Sequence, residues 1–186
     1  MAFPLTTHPA RHTGPRRGED LLTEAFEATQ DLAFLADAHE ACEFVANLVV
    51  TLLHAAGVAV MVYDIDRDEL VLESTSGVKG NPGGRVPLAQ GPRGESAIRN
   101  KLVLLSEPMG EDSLVSEPPS GPVLFSPVRH DRRLFGVLQI HRAANEVPFG
   151  NDEQHTVSYV AGQLAKFLAD HSKRIGFKEE DHPKGR

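Results

Sequence analysis

Three groups of side chains in this sequence have types and spacings that could do chemistry. Asp64, Asp66 and Asp68 repeat as D-x-D-x-D, the opening of a calcium-binding loop. The sixth position of such a loop is a glycine and the twelfth a carboxylate, but here they are Glu69 and Thr75, so a charged hairpin tip is the better reading. His39 and Cys42 stand three apart on a helix and could share a metal, yet two further ligands are missing and core packing is favoured. The third group is polar side chains on strands. Side chains alternate along a strand, which separates Leu134, Leu138 and Ile140 from Phe135, Val137, Gln139 and His141. The first set should pack on helices; the second suits a pocket wall. On an earlier strand Val58, Val60 and Val62 oppose Ala59, Met61 and Tyr63, which aims the Tyr63 hydroxyl at the same pocket. A wet sheet margin, with these polar groups satisfied by backbone, is the competing reading. His130-Asp131 reads as turn chemistry. There is no G-x-S-x-G, P-loop or H-E-x-x-H, so neither catalytic residues nor a metal or cofactor is expected.

A helix starting near Gly94–Ser96 would offer free backbone N–H groups and a positive dipole end to an anion, with Arg93 and Arg99 adding charge. A solvated helix cap is the plainer alternative.

The elements that must position these residues can be read from periodicity. Leu22, Ala25, Phe26, Thr29, Leu32, Ala33 and Ala36 recur at helical spacing from about Glu19. Asp37 with Glu40 is a capping box that opens a second helix, expected to end at Gly57. Strands are expected at 57–64 and 69–75, joined by a hairpin through Asp64 to Asp68. Residues 76–94 are rich in Gly and Pro and carry no periodicity. A short helix and a strand at 101–107 follow, then an acidic loop at 108–121. Strands at about 122–130 and 133–142 precede a last helix from Asn151, with Val157, Val160, Ala161, Leu164, Phe167 and Leu168 as its buried stripe.

Length and composition bound the answer. With 186 residues, 40% hydrophobic and 24% charged, the chain is one ordinary globular domain. Residues 1–18 read as a disordered arm, 19–171 as a single α+β body and 172–186 as a flexible charged tail. A formal net charge of −7 argues against a nucleic-acid partner. No stretch approaches the roughly 18–20 apolar residues that span a bilayer, and there is no signal peptide, so no membrane partner is expected. A single cysteine fits a reducing compartment, hence the cytoplasm.

Four phrases in this order, GVAVMVYDIDRDELVLESTSG, GPRGESAIRNKLVLLSEP, LFSPVRHDRRLFGVLQIHRA and FGNDEQHTVSYVAGQLAKFLA, resemble a GAF domain, a small-molecule-sensing and dimerisation module. The likeness covers about Glu19 to Asp170. It implies a central antiparallel sheet of about five to six strands. N- and C-terminal helices would pack on one face, and loops and a short helix on the other. It also implies a ligand region whose candidates are Tyr63, Met61, Arg93, Ser96, Arg99, Phe125, Phe135, Gln139 and His141. Cyclic-nucleotide-binding GAF domains end with Asn-Lys, a Phe and, after three intervening residues, Asp-Glu. Here Arg142-Ala143 stands at the first place and only two residues separate Phe149 from Asp152, so a cyclic nucleotide is not expected and no lysine–aspartate pair can form. Free methionine sulfoxide reductases of this fold use several cysteines, and this chain has Cys42 alone. The resemblance further implies a homodimer through the end helices, with Leu21, Phe26, Phe34 and Phe167 as interface candidates. A non-catalytic sensor signalling to a partner protein is expected, with a ligand-free docking scaffold as the alternative.

Overall fold

The computed structural model of the protein describes residues 18–110 and 112–172. The expected arm and tail lie outside the described residues, apart from Gly18 and Ser172, which fall within helices. Helix α1 (Gly18–Thr29) runs into a 3-10 turn at Gln30–Phe34. Helix α2 (Ala38–Leu53) begins where the capping pattern placed it. Asp37 accepts the Glu40 N–H at 2.9 Å, and the Glu40 carboxylate returns to the Ala36 N–H at 2.9 Å. The left-handed residue that ends α2 is His54 (φ 50°), not Gly57. Gly57 instead starts strand β1, and a Cβ there would lie 2.1 Å from Val78 Cγ1, so close approach rather than helix capping selects glycine.

Strands β1 (Gly57–Asp64), β2 (Glu69–Ser76), β3 (Lys79–Gly80) and β4 (Arg85–Pro87) precede helix α3 (Gly91–Arg99). Strands β5 (Val103–Leu105), β6 (Val115–Ser116), β7 (Val123–His130) and β8 (Arg133–His141) lead to helix α4 (Asn151–Ser172). Six strands form an antiparallel sheet in the order β4-β2-β1-β8-β7-β5, and β3 pairs with β6 in a separate ribbon. The first and last long strands are thus side by side at the centre, which locks the chain ends together.

Both faces of the sheet are covered. On one, α2 covers β1 and β2, α4 covers β7 and β8, and α1 lies on α4. Val58, Val60, Leu124, Leu138 and Ile140 meet Val45, Val49, Val160 and Leu164 there. On the other face, Ala59, Met61, Leu72, Val123, Phe125 and Val137 pack under α3 and with Met109, Leu114 and Val115. Two register shifts disturb the alternation. Glu73 is the extra residue opposite the Val60–Met61 step, and Phe135 is the extra residue opposite Val128–Arg129. The second shift overturns an expectation: Phe135 packs with the helices, while Leu134 packs against the opposite cluster.

Candidate functional site

The centre of the α3 face is polar. Gln139 on β8 lies between Ala59 of β1 and Phe125 of β7, and His141 lies between Gly57 and Val123. Small neighbours on β1 leave room for both side chains. Helix α3 starts at Gly91, three residues before the expected start, with Pro92 in its first turn and Gln90 as its extended cap residue. That earlier start drives Arg93 inward. Arg93 Nε–H donates to Gln139 Oε1 at 2.7 Å, and its Nη2–H donates to Asp112 Oδ2. Gln139 Nε2–H donates to the same Asp112 oxygen at 2.9 Å and also meets His141 Nε2 at 2.9 Å. Asp112 Oδ1 accepts the Leu114 N–H. Gln139 and His141 are buried, and the Asp112 side chain is 0% exposed.

Hydrogen-bond logic fixes the protons. Arg93 can only donate, so the Gln139 oxygen must face it and the Gln139 amide nitrogen must face Asp112 and His141. His141 Nε2 therefore accepts, and the ring proton sits on Nδ1. Nδ1 is buried and has no partner. Burial pushes the His141 pKa down to about 4, so the ring is neutral. Desolvation works against the Asp112 carboxylate, but hydrogen bonds from Gln139 and Arg93 outweigh it and hold its pKa below the ordinary value. The result is a buried cation and anion, an amide and an imidazole with one N–H left over.

Other expected site residues lie elsewhere. Tyr63 donates its hydroxyl to Asp68 at 2.8 Å across the β1–β2 hairpin, so it serves the sheet margin and not the pocket. Ser96 is buried, but its hydroxyl closes the end of α3 on the Lys101 carbonyl at 2.7 Å. Arg99 stands at the far end of α3, exposed and 3.9 Å from Glu95, away from the helix start it was expected to serve. Met61 and Phe125 are buried in the apolar wall beside Gln139. Phe135 faces the helices. Of the interface candidates, Leu21 and Phe167 are consumed by the chain's own core, whereas Phe26 and Phe34 are exposed.

Asp112 was not foreseen. It comes from an acidic loop without periodicity, 27 residues before its partner Gln139, and no local pattern announces it. Arg142 has a role that no sequence pattern announced. No lysine–aspartate pair joins β8 to α4, but Arg142 makes an ion pair with Glu153, donates to the Leu53 carbonyl at 2.9 Å and lies 4.2 Å from the centroid of the Phe149 ring.

The comparisons agree with this fold. A sequence model of the GAF domain family matches residues 37–169. Among solved structures, the chain is similar to the GAF domain of a phosphoenolpyruvate-protein phosphotransferase from Coxiella burnetii. That match has 20% identity and a TM-score of 0.75, covering 86% of this chain and 99% of that one. It is similar to the second GAF domain of DevS from Mycobacterium smegmatis, with 24% identity, a TM-score of 0.64, and 75% and 100% coverage. A third similar structure is the free methionine-R-sulfoxide reductase from Neisseria meningitidis in complex with its substrate. Its identity is 18% and its TM-score 0.70, with 91% and 100% coverage. Among curated protein sequences none matches.

Proposed function

This chain belongs to the GAF domain family, and from that premise we propose that it is a non-catalytic regulatory domain sensing a small acidic molecule at Arg93, Gln139 and His141. The observation that carries this reading is the position of Asp112. A loop carboxylate lies on two donors fixed by regular elements, Arg93 on α3 and Gln139 on β8. An acidic ligand group entering there would take the same two donors, with the neutral His141 ring beside them. Withdrawal of residues 112–114 would open the site, so ligand binding and the position of Asp112 are coupled. A ligand shifts such an equilibrium only through its different affinity for the two states. Displacing Asp112 supplies that difference.

The signal is proposed to reach a partner signalling protein through a cytoplasmic homodimer built on α1. Supporting the dimer are Leu22 at 42%, Phe26 at 55% and Phe34 at 86% exposure. No described helix is long and apolar enough to cross a membrane. Cys42 supports the non-catalytic reading: burial pushes its pKa up to about 12, far from a reactive thiolate. A docking scaffold without ligand is the second reading, favoured by Arg93, Asp112 and Gln139 already satisfying one another.

Native mass spectrometry of the full chain purified from its own cell separates the two. The expected result is one small acidic molecule per chain, with higher occupancy in Asp112→Asn, which removes the competing charge. An empty wild-type protein together with an empty variant would rule the sensor out in favour of the scaffold.

A further inference from the structure

A second set of unpaired polar atoms lies along the edge of β7 that β5 leaves unpaired beyond Phe125, with Ser126 on the helix side and Arg129 on the α3 side. Leu124 and Val128 of β7 face the helices, whereas Val123 and Phe125 face the Arg93 cluster. Ser126 shares the alternation of Leu124 and Val128, so it faces α4. It is 1% exposed, and its Oγ has no hydrogen-bond partner. Three residues on, the buried Nε of Arg129 also has none. Both residues line a cleft of about 400 Å³, closed on one side by the α3–β5 turn (Asn100 to Leu102) and on the other by Ser158 and Gly162 of α4.

The charge in this cleft is positive although the whole chain is acidic. Arg129 donates Nη1–H to the Arg132 carbonyl at 3.0 Å and Nη2–H to the Ala97 carbonyl at 2.7 Å. Those carbonyls fix the guanidinium without neutralising it. Among the described residues no carboxylate pairs with Arg129 or Arg132. The acidic groups nearby are Glu95, 3.1 Å from Lys101, and Asp131, 3.3 Å from His130 and 89% exposed.

Gly162 is the third observation. Glycine inside a helix is unfavourable because it has more backbone freedom to lose. Packing does not demand it, for a Cβ built there meets nothing within 4 Å. The effect of glycine at this position is to leave the cleft open beside Ser158, one turn earlier.

We propose that this cleft is a second ligand site, separate from the Arg93 cluster, that binds the phosphoryl group of a small molecule or free phosphate. Ser126 and Arg129 line it with one unpartnered donor each, Oγ–H and Nε–H, which a side-chain rotation would turn onto the ligand, and Lys101 and Arg132 supply charge from the rim. Phosphoryl chemistry fits better than a carboxylate, because donors approach from several sides and a phosphoryl group presents three acceptor oxygens. The cleft volume leaves room for a short organic substituent beyond the anion.

The test is titration of the full chain with inorganic phosphate and, separately, glycerol 3-phosphate, read by amide NMR shifts at constant ionic strength. Saturable shifts are expected at residues 100–102, 126–132, 158 and 162, with Kd below about 10 mM. Tighter glycerol 3-phosphate supports a phosphomonoester; equal affinities support free phosphate. Ser126→Ala should weaken binding about threefold to tenfold, the loss of one hydrogen bond. Gly162→Leu should raise Tm, because the helix gains and its Cβ meets open space, yet weaken binding at least about tenfold by filling the cleft. Arg93 variants should leave this binding unchanged. Shifts reproduced by sodium chloride, no saturation, or unchanged binding in a folded Gly162→Leu protein overturn the proposal.

Discussion

A single proton decides how the Arg93 cluster behaves in acid. His141 is neutral in the fold with a pKa of about 4, against an ordinary value of 6.5. The unfolded chain therefore binds a proton below pH 6.5 that the folded chain refuses until about pH 4. The stability linked to His141 is complete above pH 6.5, drains as pH falls from there to about 4, and does not change further below that. The slope limit is about 1.4 kcal/mol per pH unit, giving a loss on the order of 3 kcal/mol. Protonation would also turn Nε2 into a donor facing the Gln139 amide, which already donates. Asp112 acts in a lower window. Its pKa is depressed, so its contribution is present above its ordinary value of 3.8 and is lost as pH falls through its folded value. His141→Gln, which carries no titrating proton, should flatten urea-unfolding stability between pH 6.5 and 4. Parallel pH profiles for the variant and the wild type would show that His141 is not the group responsible.

The joints between elements carry their own energetics. Arg142 follows directly on β8 and reaches back to the last carbonyl region of α2 at Leu53 and forward to Glu153 in the first turn of α4, while stacking on Phe149. One guanidinium therefore fixes three elements. Arg142→Ala would leave the Glu153 carboxylate without its partner and the Leu53 carbonyl unpaired. The expected loss is about 3 kcal/mol, measured by urea unfolding. Arg142→Lys should recover part of the charge but not the fork or the stack. A loss below about 0.5 kcal/mol for Arg142→Ala would mean the pair behaves as a surface contact. The order of the helices and long strands, the α2 cap and the spans of β1, β2, β7 and β8 were legible, because they rest on local periodicity and capping chemistry. Strands β3, β4 and β6, two or three residues each in stretches read as irregular, were too short to show a period, and β5 is shorter than expected. Side-chain faces past a bulge were not legible either. The extra residue at Phe135 reverses the alternation of everything before it, and bulges have no signature in a period of two. Asp112 escaped for a related reason: its role depends on a partner far along the chain and on an α3 that starts earlier than its polar residues suggest.

At the scale of the whole molecule, the question is which apolar side chains the fold leaves uncovered. Sequence alone could not separate Leu21 from Leu22, because neighbouring helix positions differ only in which one meets α4. Leu21 is buried in the helical layer, and Phe167 is buried against it and stacks on His171 at 3.7 Å. Leu22 and Phe26 lie one turn apart on the outer side of α1, beside a cleft of about 520 Å³ shared with Glu19, Thr23 and Tyr159. Phe34 follows on the 3-10 turn. A two-fold axis through α1 would let each copy cover the patch of the other, so three side chains per copy become six buried side chains. At about 1.5–3 kcal/mol for a side chain taken from full exposure, and with Leu22 and Phe26 already about half covered, the gross gain is on the order of 5–11 kcal/mol. Association and side-chain ordering cost about 4–15 kcal/mol or more, which leaves a dimer of roughly micromolar Kd at best. Symmetry also sharpens the test, since one substitution removes two contacts. Phe26→Glu should therefore weaken the dimer by at least about 100-fold, with Tm changed little because Phe26 is exposed. Sedimentation equilibrium across the micromolar range measures both proteins. A wild type that stays monomeric throughout, or a Phe26→Glu protein that dimerises as the wild type does, would exclude α1 as the interface. The remaining acidic surface would then have to meet its partner elsewhere.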